Sequence, residues 1–253
     1  MLLTSKDNPK VRHWRKLAED PRYRRAQKRA LVEGPHLLAA ALQHGHKPVA
    51  VLVTEEGASN PEIAQLLGGL RLVTLAKGVF RAIVDAETPQ GVAAEIAIPA
   101  EGGKGDSPAV FLEAVQDPSN VGAIIRSSAA FGVRKVVLDP GCADPWSPRA
   151  LRAGMGGHFG LRIGEAKDLA AEIGTFKGTV ACAVPRGGIA LDRARLGGSV
   201  AWIFGGEGRG LSEKTLQHAT LRVTIPMAPG AESLNVAAAA AICLYVSRSA
   251  AGS

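Results

Sequence analysis

The sequence predicts an α/β protein of two domains, and three observations support this. Hydrophobic residues make up 46% of the chain and aromatic residues only 4%, a mixture typical of α/β proteins. Short apolar runs of strand length alternate with helix-like segments throughout. One stretch, residues 97–108, is rich in Gly, Pro and charge and has no periodicity, as expected of a linker. We therefore assign residues 1–96 to a first domain and residues 109–253 to a second.

The first domain has the pattern of a small α/β unit. Apolar runs bounded by turn residues predict its strands, which are Leu31–Val32, Val49–Thr54, Arg71–Val73 and Val92–Ala97. Segments of helical periodicity lie between them, at Gly34–His44, Asn60–Leu67 and Lys77–Val84.

The second domain has longer and more continuous apolar runs, which indicate strands buried on both faces of a parallel sheet. These runs are Ala109–Ala114, Lys135–Leu138, Gly178–Ala183, Val200–Phe204 and Arg222–Ile225. The predicted helices between and after them are Asn120–Phe131, Asp168–Phe176, Ser212–His218 and Ser233–Ser249. Alternation of this kind predicts a doubly wound sheet.

The net charge of +7 is concentrated at the N-terminus. Residues 1–30 contain ten Lys and Arg against three Asp and Glu, and the rest of the chain is balanced. Trp14 and Tyr23 lie within this basic run, so the segment is typical of a surface that contacts the phosphates of a nucleic acid. A solvated helix face explains the charge equally well.

Several classes of function lack their sequence signatures. There is no P-loop, no dinucleotide-binding glycine motif after a first strand, no G-x-S-x-G and no H-E-x-x-H, which argues against ATPases, dehydrogenases, hydrolases and zinc proteases. Cys142, Cys182 and Cys243 are far apart and the six His are scattered, so we expect no metal. No apolar run is long enough for a membrane span and no signal peptide is evident. The expected location is therefore the cytoplasm.

Three polar segments follow predicted strands of the second domain, where open α/β sheets bind ligands. Segment 112–133 contains Asn120 and Arg126, segment 202–212 surrounds Glu207 with four glycines, and segment 225–241 contains Ser233 and Asn235. Arg126 follows small apolar residues, and because a buried unpaired guanidinium is costly we expect it to have an anionic partner.

Each segment also has a purely structural explanation. Asn120, Ser233 or Asn235 could serve only as helix N-caps. Arg126 could belong to a structural ion pair, and the glycine cluster could form a simple turn. The residue pattern alone leaves these alternatives open.

In their order and spacing, the three segments resemble motifs 1, 2 and 3 of the SpoU or TrmH family of RNA 2′-O-methyltransferases. The run from Ser147 through Gly156 is similar to the family's RASMG-like segment, with Gly154 where Ser is more usual. Further matches resemble the substrate-binding domain of many members, and they are Thr4-Ser5, Asn8-Pro9, Leu17, Glu33-Gly34 and Thr88-Pro89-Gln90-Gly91. The resemblance covers most of the chain except the linker.

This resemblance implies a fold, a cofactor and an assembly. The first domain would be an L30e-like RNA-binding module, and the second a SPOUT domain whose C-terminal chain forms a trefoil knot. The knot would hold S-adenosyl-L-methionine, with the adenosine contacted mainly through the backbone of Gly205, Ile225 and Leu234 and with Gly206, Glu207 and Asn235 nearby. The resemblance further implies a homodimer.

The resemblance also implies catalytic residues, namely Arg126, Asn120, Glu207, Ser233 and Asn235. The family's candidate base is the motif 1 arginine, here Arg126. Because an arginine side chain keeps its proton at neutral pH, we interpret Arg126 as a clamp on the ribose 2′-oxygen or an adjacent phosphate that stabilises negative charge. A role as the base is the alternative, and it requires a site that strongly lowers the pKa of the guanidinium. The favoured substrate is ribosomal RNA. A transfer RNA substrate, or a catalytically silent RNA-binding protein on this fold, are the alternatives.

Overall fold

The computed structural model of the chain describes residues 2–100, 107–208 and 210–251, with side chains up to Arg248. It divides into two compact units. We call residues 1–99 with 144–159 the N-terminal unit, and residues 100–143 with 160–253 the C-terminal unit. Half of the predicted linker 97–108, at 101–106, lies outside the described residues.

Strands and helices alternate along most of the chain. The strands are β1 Leu2–Leu3, β2 Arg29–Glu33, β3 Ala50–Val53, β4 Leu72–Leu75, β5 Val92–Ala97, β6 Ala109–Glu113, β7 Lys135–Leu138, β8 Arg162–Glu165, β9 Thr179–Ala183, β10 Ile189–Ala190, β11 Val200–Gly205 and β12 Leu221–Thr224. The α-helices are α1 Pro9–Glu19, α2 Pro21–Gln27, α3 Pro35–Gln43, α4 Glu55–Ser59, α5 Pro61–Leu66, α6 Lys77–Phe80, α7 Pro118–Ala130, α8 Pro148–Gly154, α9 Leu169–Gly174, α10 Glu213–Leu216 and α11 Val236–Ala251. None of these helices is long and apolar enough to cross a bilayer.

The N-terminal unit contains a mixed five-stranded sheet in the order β1-β4-β3-β5-β2. β5 is antiparallel to β2 and β3, while the other pairs are parallel. All four predicted strands of this region are present. β1, α1 and α2 were not predicted as elements, because β1 is only two residues long and the helical pattern of α1 and α2 lies within the basic run.

The basic N-terminal run folds into α1 and α2. Pro9 and the Asn8 side chain, which accepts from Lys10 N at 2.9 Å, begin α1, as is usual at helix N-termini. Trp14 lies on the buried face of α1, is 3% exposed, and donates its Nε1–H to Glu95 at 2.9 Å. The prediction that Trp14 belongs to an RNA-contacting surface is therefore wrong, because this ring is part of the core.

Arg24 is also an exception within the basic run. Its side chain and that of Asp144 are 3% and 8% exposed, and Nε lies 2.7 Å from the Asp144 carboxylate. A second guanidinium nitrogen donates to the carbonyl oxygens of Leu17 and Ala18. Burial of a charge requires this degree of compensation, so Arg24 holds the fold together and is not an external contact.

The segment Asp144–Phe159 groups with the N-terminal unit, whereas the predicted boundaries place it in the second domain. The Arg24–Asp144 ion pair and the packing of α8 against β2 account for this grouping. Within the segment, His158 is fully buried, and its ring contacts that of Trp146 at a tilt of 56°. Its Nε2 lies 2.8 Å from the Pro145 carbonyl oxygen. Burial lowers the pKa of His158 to about 4.

The C-terminal unit has a seven-stranded parallel sheet in the order β10-β12-β9-β11-β6-β7-β8. The predicted doubly wound parallel sheet is confirmed, with two further strands, β8 and β10. From β6 the chain adds β7 and β8 on one side and later places β11 on the other. Such a change of direction opens a crevice at the carboxyl ends of the central strands, which here are β6 and β11.

Candidate active site

A cavity of about 460 Å³ lies at the carboxyl ends of β9, β11 and β12 in the C-terminal unit. Its volume is in the range of small-molecule sites, which are mostly apolar with a few polar groups. Its walls have that character. The lining residues are Ala183, Val184, Pro185, Phe204, Gly205, Gly206, Glu207, Gly208, Gly210, Leu211, Leu216, Ile225, Met227, Ser233, Leu234, Val236 and Ala239.

Three side chains, one from each predicted segment, form a hydrogen-bonded cluster beside this cavity. Asn235 Nδ2 donates to Glu207 Oε1 at 2.8 Å and to Asn120 Oδ1 at 3.0 Å. Asn120 Nδ2 donates to the same Glu207 oxygen at 3.1 Å. We call Asn120, Glu207 and Asn235 the amide–carboxylate cluster. It unites residues that are up to 115 positions apart in the chain.

Asn120 is not the cap of its helix. α7 begins at Pro118, and the cap is Asp117, whose carboxylate accepts from Ser119 N at 2.8 Å. Asn120 therefore lies within the first helical turn, where its side chain is free to join the cluster. The purely structural explanation of Asn120 as an N-cap is wrong.

Asn235 serves both purposes that the sequence left open. Its Oδ1 accepts from Ala237 N at 2.9 Å and Ala238 N at 3.3 Å, so it caps the start of α11. Its amide nitrogen is thereby directed to Glu207 and Asn120. Because the cap fixes the side-chain orientation, the amide presents its donors to the carboxylate without further support.

The glycines before Glu207 are required by close backbone packing. A Cβ on Gly206 would lie 2.1 Å from the Ala114 carbonyl oxygen, and one on Gly205 would lie 2.5 Å from Gly210 C. Ala114 itself has a φ of +54°, an uncommon conformation for a residue with a side chain. The strand end and the glycine loop are thus packed backbone to backbone, and this packing sets the position of Glu207.

Glu113, which the sequence analysis did not single out, anchors both ends of the same loop. Its carbonyl oxygen accepts from Gly206 N at 2.8 Å. Its carboxylate accepts from Ser212 N at 2.9 Å and Ser212 Oγ at 2.6 Å. An acidic residue at the end of a predicted strand, facing a glycine-rich loop, was the available signal.

Arg126 is on the exposed side of α7 and not on a buried surface. Among the described residues its guanidinium has no hydrogen bond or ion pair, so the alternative of a structural ion pair finds no support there, and the anionic partner that we expect would be an external one. Exposure to water removes the desolvation penalty on which that expectation rested. Arg126 is therefore available to an external anion.

The remaining predicted residues lie at the cavity. Ile225, Ser233 and Leu234 line it with Gly205 and Gly206. Leu234 is 38% exposed, which is unusual for so large an apolar side chain in a concave wall. The wall formed by Val184, Pro185, Leu211 and Met227 was not predicted, because apolar residues in loops carry no distinct pattern.

Other reactive groups near the site are inert. Cys142 donates its Sγ–H to the Leu112 carbonyl oxygen at 3.3 Å, and burial raises the pKa of this thiol above its usual range. It therefore stays protonated and is a poor nucleophile. Among the residues that the structure describes, no group of three or more His, Cys, Asp and Glu could hold a metal ion.

Known proteins resemble this chain over nearly its whole length. Residues 107–245 match the SpoU rRNA Methylase family, and residues 8–94 match the MRM3-like substrate binding domain. The 23S rRNA (guanosine(2553)-2′-O)-methyltransferase RlmP of Bacillus subtilis is 32% identical over 249 residues, which cover 96% of this chain and 97% of that protein.

Two solved structures are similar in fold as well as sequence. A crystal structure of an RNA 2′-O ribose methyltransferase superposes with a TM-score of 0.83 at 30% identity and covers 99% of both chains. The AdoMet-bound rRNA methyltransferase of Sinorhizobium meliloti gives a TM-score of 0.84 at 25% identity, covering 98% of this chain and 97% of that one.

Proposed function

Because this chain belongs to the SpoU rRNA methylase family, we propose that it transfers a methyl group from S-adenosylmethionine to a ribose 2′-hydroxyl of ribosomal RNA. The observation that carries the proposal is the amide–carboxylate cluster, in which each of the three motifs contributes one side chain beside the cavity. A protein that only binds RNA has no need of this arrangement.

The cavity suits S-adenosylmethionine. Its apolar walls match the faces of an adenine ring, and its glycine-rich edge offers backbone groups to the polar parts of the molecule. We assign cofactor binding to Gly205, Gly206, Ile225, Leu234 and Asn235, of which the first four line the cavity. When bound, S-adenosylmethionine would supply a methyl group from its sulfonium sulfur, and the electron pair of the broken S–C bond would remain on that sulfur.

The residues of the chain align and polarise the acceptor. As the ribose oxygen forms its new bond to carbon, its hydroxyl proton is released to solvent water, and partial negative charge develops on that oxygen while the O–H bond breaks. The exposed guanidinium of Arg126 can hold this oxygen or the adjacent phosphate and stabilise the charge. Glu207, fixed by the amides of Asn120 and Asn235, and Ser233 at the cavity edge orient the ribose and the donor.

The cofactor assignment is tested by calorimetry with the isolated protein. S-adenosylmethionine or its demethylated product should bind saturably without RNA. No heat and no saturable binding at millimolar ligand would contradict the cofactor assignment.

The substrate is tested by mapping 2′-O-methyl marks across total RNA with and without the gene. We expect the loss of a single ribosomal RNA mark. Loss of a transfer RNA mark would favour the other substrate of the same chemistry. If no mark changed, the silent RNA-binding alternative would gain instead.

The division of labour between domains is part of the proposal. We assign RNA binding to an L30e-like first domain, residues 1–96, and methyl transfer to residues 109–253 with the linker 97–108 between them. Support comes from the match of residues 8–94 to a substrate binding domain. Exposed basic side chains on the N-terminal run add to it, and they are Lys6, Lys10, Arg12, Lys16, Arg22, Arg25 and Lys28.

We further propose, from family membership, a C-terminal trefoil knot and a homodimer. Ile242 and Tyr245 on α11 are 39% and 61% exposed, and exposed apolar side chains on one helix suit a contact between copies. Light scattering should give twice the mass of one chain, and a monomer at micromolar concentration would contradict the dimer. Because the proposed substrate is ribosomal RNA, we propose the cytoplasm as the place of action.

A further inference from the structure

A second cavity, of about 310 Å³, lies within the N-terminal unit. Three stretches form it: the start of α3 after β2, the loop before β5, and the end of α8. These stretches carry Glu33-Gly34, Thr88 to Gln90 and Arg152 to Met155, which are family-like matches that the catalytic cavity does not use. We call it the N-terminal cavity.

The charged groups at the N-terminal cavity include more carboxylates than guanidinium groups. Arg152 Nη2 lies 2.6 Å from Asp85 Oδ2, and Nη1 lies 3.8 Å from Glu33 Oε2. Glu33 also accepts from Asp85 N and Ala86 N, both at 3.2 Å. One guanidinium therefore faces two carboxylates, which makes the cavity unfavourable for a phosphate or another anion.

Two neutral polar side chains at the N-terminal cavity are exposed and accessible to a ligand. Among the described residues, the Gln90 amide and the Thr88 hydroxyl have no hydrogen-bond partner, although both side chains border the cavity. Apolar surface is supplied by Leu37, Ala86 and Met155, the last of which is 50% exposed. A neutral, flat ligand with hydrogen-bonding edges fits this combination.

The backbone around the N-terminal cavity is closely packed. Met155 has a φ of +45°, in the left-handed region that a side chain rarely adopts. The next residue, Gly156, could not carry a Cβ, which would lie 2.6 Å from Ala40 Cβ. Gly34 has a φ of +89° and lies against the Gln90 side chain. This close packing holds Met155 at the cavity and Gln90 beside Gly34.

We propose that the N-terminal cavity binds one unpaired nucleobase of the RNA substrate. The base would contact Met155 and Leu37 with its faces and the Gln90 amide and Thr88 hydroxyl with its edge. RNA is read mainly through unpaired bases, and a glutamine amide can pair with a base edge through two hydrogen bonds. This inference rests on the proposed function, because it assumes that the N-terminal unit contacts RNA.

The test replaces the edge-reading groups while keeping their size. Gln90→Leu and Thr88→Val remove hydrogen-bonding groups from exposed side chains, and Gln65→Leu, at an exposed position of α5 in the same unit, is the matched control. The full-length proteins are titrated with an RNA hairpin that has an unpaired loop and with a fully paired RNA duplex, at several salt concentrations. S-adenosylmethionine binding and thermal unfolding are measured in parallel.

We expect Gln90→Leu to weaken binding of the hairpin by about 5- to 100-fold. Thr88→Val should weaken hairpin binding to a smaller extent. The salt dependence should not change, since no phosphate contact is lost. Binding of the duplex and of S-adenosylmethionine should be unaltered, and Gln65→Leu should behave as the unsubstituted protein. Ultraviolet crosslinking of the unsubstituted protein to the hairpin should label peptides that contain Gln90 or Met155.

Hairpin binding of Gln90→Leu equal to that of the unsubstituted protein would overturn the inference, as would an equal loss for the duplex. A reduced salt dependence would assign the cavity to phosphate instead. Crosslinks that all lie outside the cavity would overturn it even if the variants failed to fold. Failure of the unsubstituted protein to bind S-adenosylmethionine would instead remove the proposed function, so the two failures are distinguishable.

Discussion

Arginines in the two units have opposite surroundings, as Arg24 and Arg152 of the N-terminal unit and Arg126 of the C-terminal unit show. In the N-terminal unit, Arg24 pairs with Asp144 and Arg152 with Asp85 and Glu33, so charges are compensated within the fold. In the C-terminal unit, Arg126 is exposed and has no partner within the part of the chain that the structure describes. The comparison shows that a charged residue in a family-like segment can be structural or available, and that burial and pairing decide between these roles.

The largest expected effect is on stability, and it concerns the buried ion pair of Arg24 and Asp144. Asp144→Ala leaves the Arg24 guanidinium buried and unpaired, so the free energy of unfolding should fall by about 3–5 kcal/mol. Chemical denaturation measures this change. The exposed pair between Lys214 and Asp168, at 2.7 Å, is the control, because water screens this pair and Lys214→Ala should lower the free energy of unfolding far less than Asp144→Ala. Equal effects of the two substitutions would remove the distinction.

The next prediction concerns the exposed guanidinium of Arg126 and the rate of methyl transfer. If its guanidinium stabilises charge that develops in the transition state, Arg126→Ala should slow methyl transfer by about 100- to 1000-fold without changing stability or S-adenosylmethionine affinity. Single-turnover rates and calorimetry measure these quantities. Activity within a few fold of the unsubstituted enzyme would contradict both the clamp and the base role of Arg126.

Arg126→Lys sharpens the same test. Lysine keeps the charge but loses the planar fork of donors, and it releases its proton at lower pH than arginine. An oriented clamp predicts a poor enzyme at every pH. A base predicts a rate that recovers as the pH rises, so the pH profile of this variant separates the two roles.

Buried His158 of the N-terminal unit makes the free energy of unfolding depend on pH. Because burial lowers its pKa from 6.5 to about 4, the folded protein keeps the ring neutral while the unfolded chain takes up a proton below 6.5. Its contribution to stability is full above pH 6.5 and is lost as the pH falls toward 4, by about 3 kcal/mol in total. His158→Phe should show a weaker decline of unfolding free energy across this window than exposed His44→Gln, and equal declines would contradict the assignment.

The smallest expected effect concerns the exposed basic residues of α1 and α2. If Lys10, Arg12 and Arg22 contact phosphates, each replacement by Ala should reduce the salt slope of RNA binding by about 1, with S-adenosylmethionine affinity unchanged. Lys47→Ala and Arg71→Ala, exposed basic residues outside the run, are the controls. An unaltered slope in all variants would leave the N-terminal charge as a solvated face.

The sequence by itself determined the α/β class, the parallel second sheet and the three site segments. Continuous apolar runs indicate buried parallel strands, and polar residues directly after such runs mark the carboxyl edge where ligands bind. These signals are local, so they need no knowledge of the partners of each strand. The N-terminus of α7 shows the limit of local reasoning, because Asp117, and not Asn120, is the N-cap of that helix.

Only the tertiary structure decided which distant residues meet. The ion pair of Arg24 with Asp144 and the hydrogen bond of Trp14 with Glu95 each join positions at least 81 residues apart in the sequence. The members of the amide–carboxylate cluster are 28 to 115 residues apart. Strand order brings such residues together, and that order depends on the packing free energy of a whole unit, which local periodicity does not contain. For the same reason, Asp144–Phe159 joins the N-terminal unit although it follows strands of the other sheet: its buried ion pair and core side chains find their partners there.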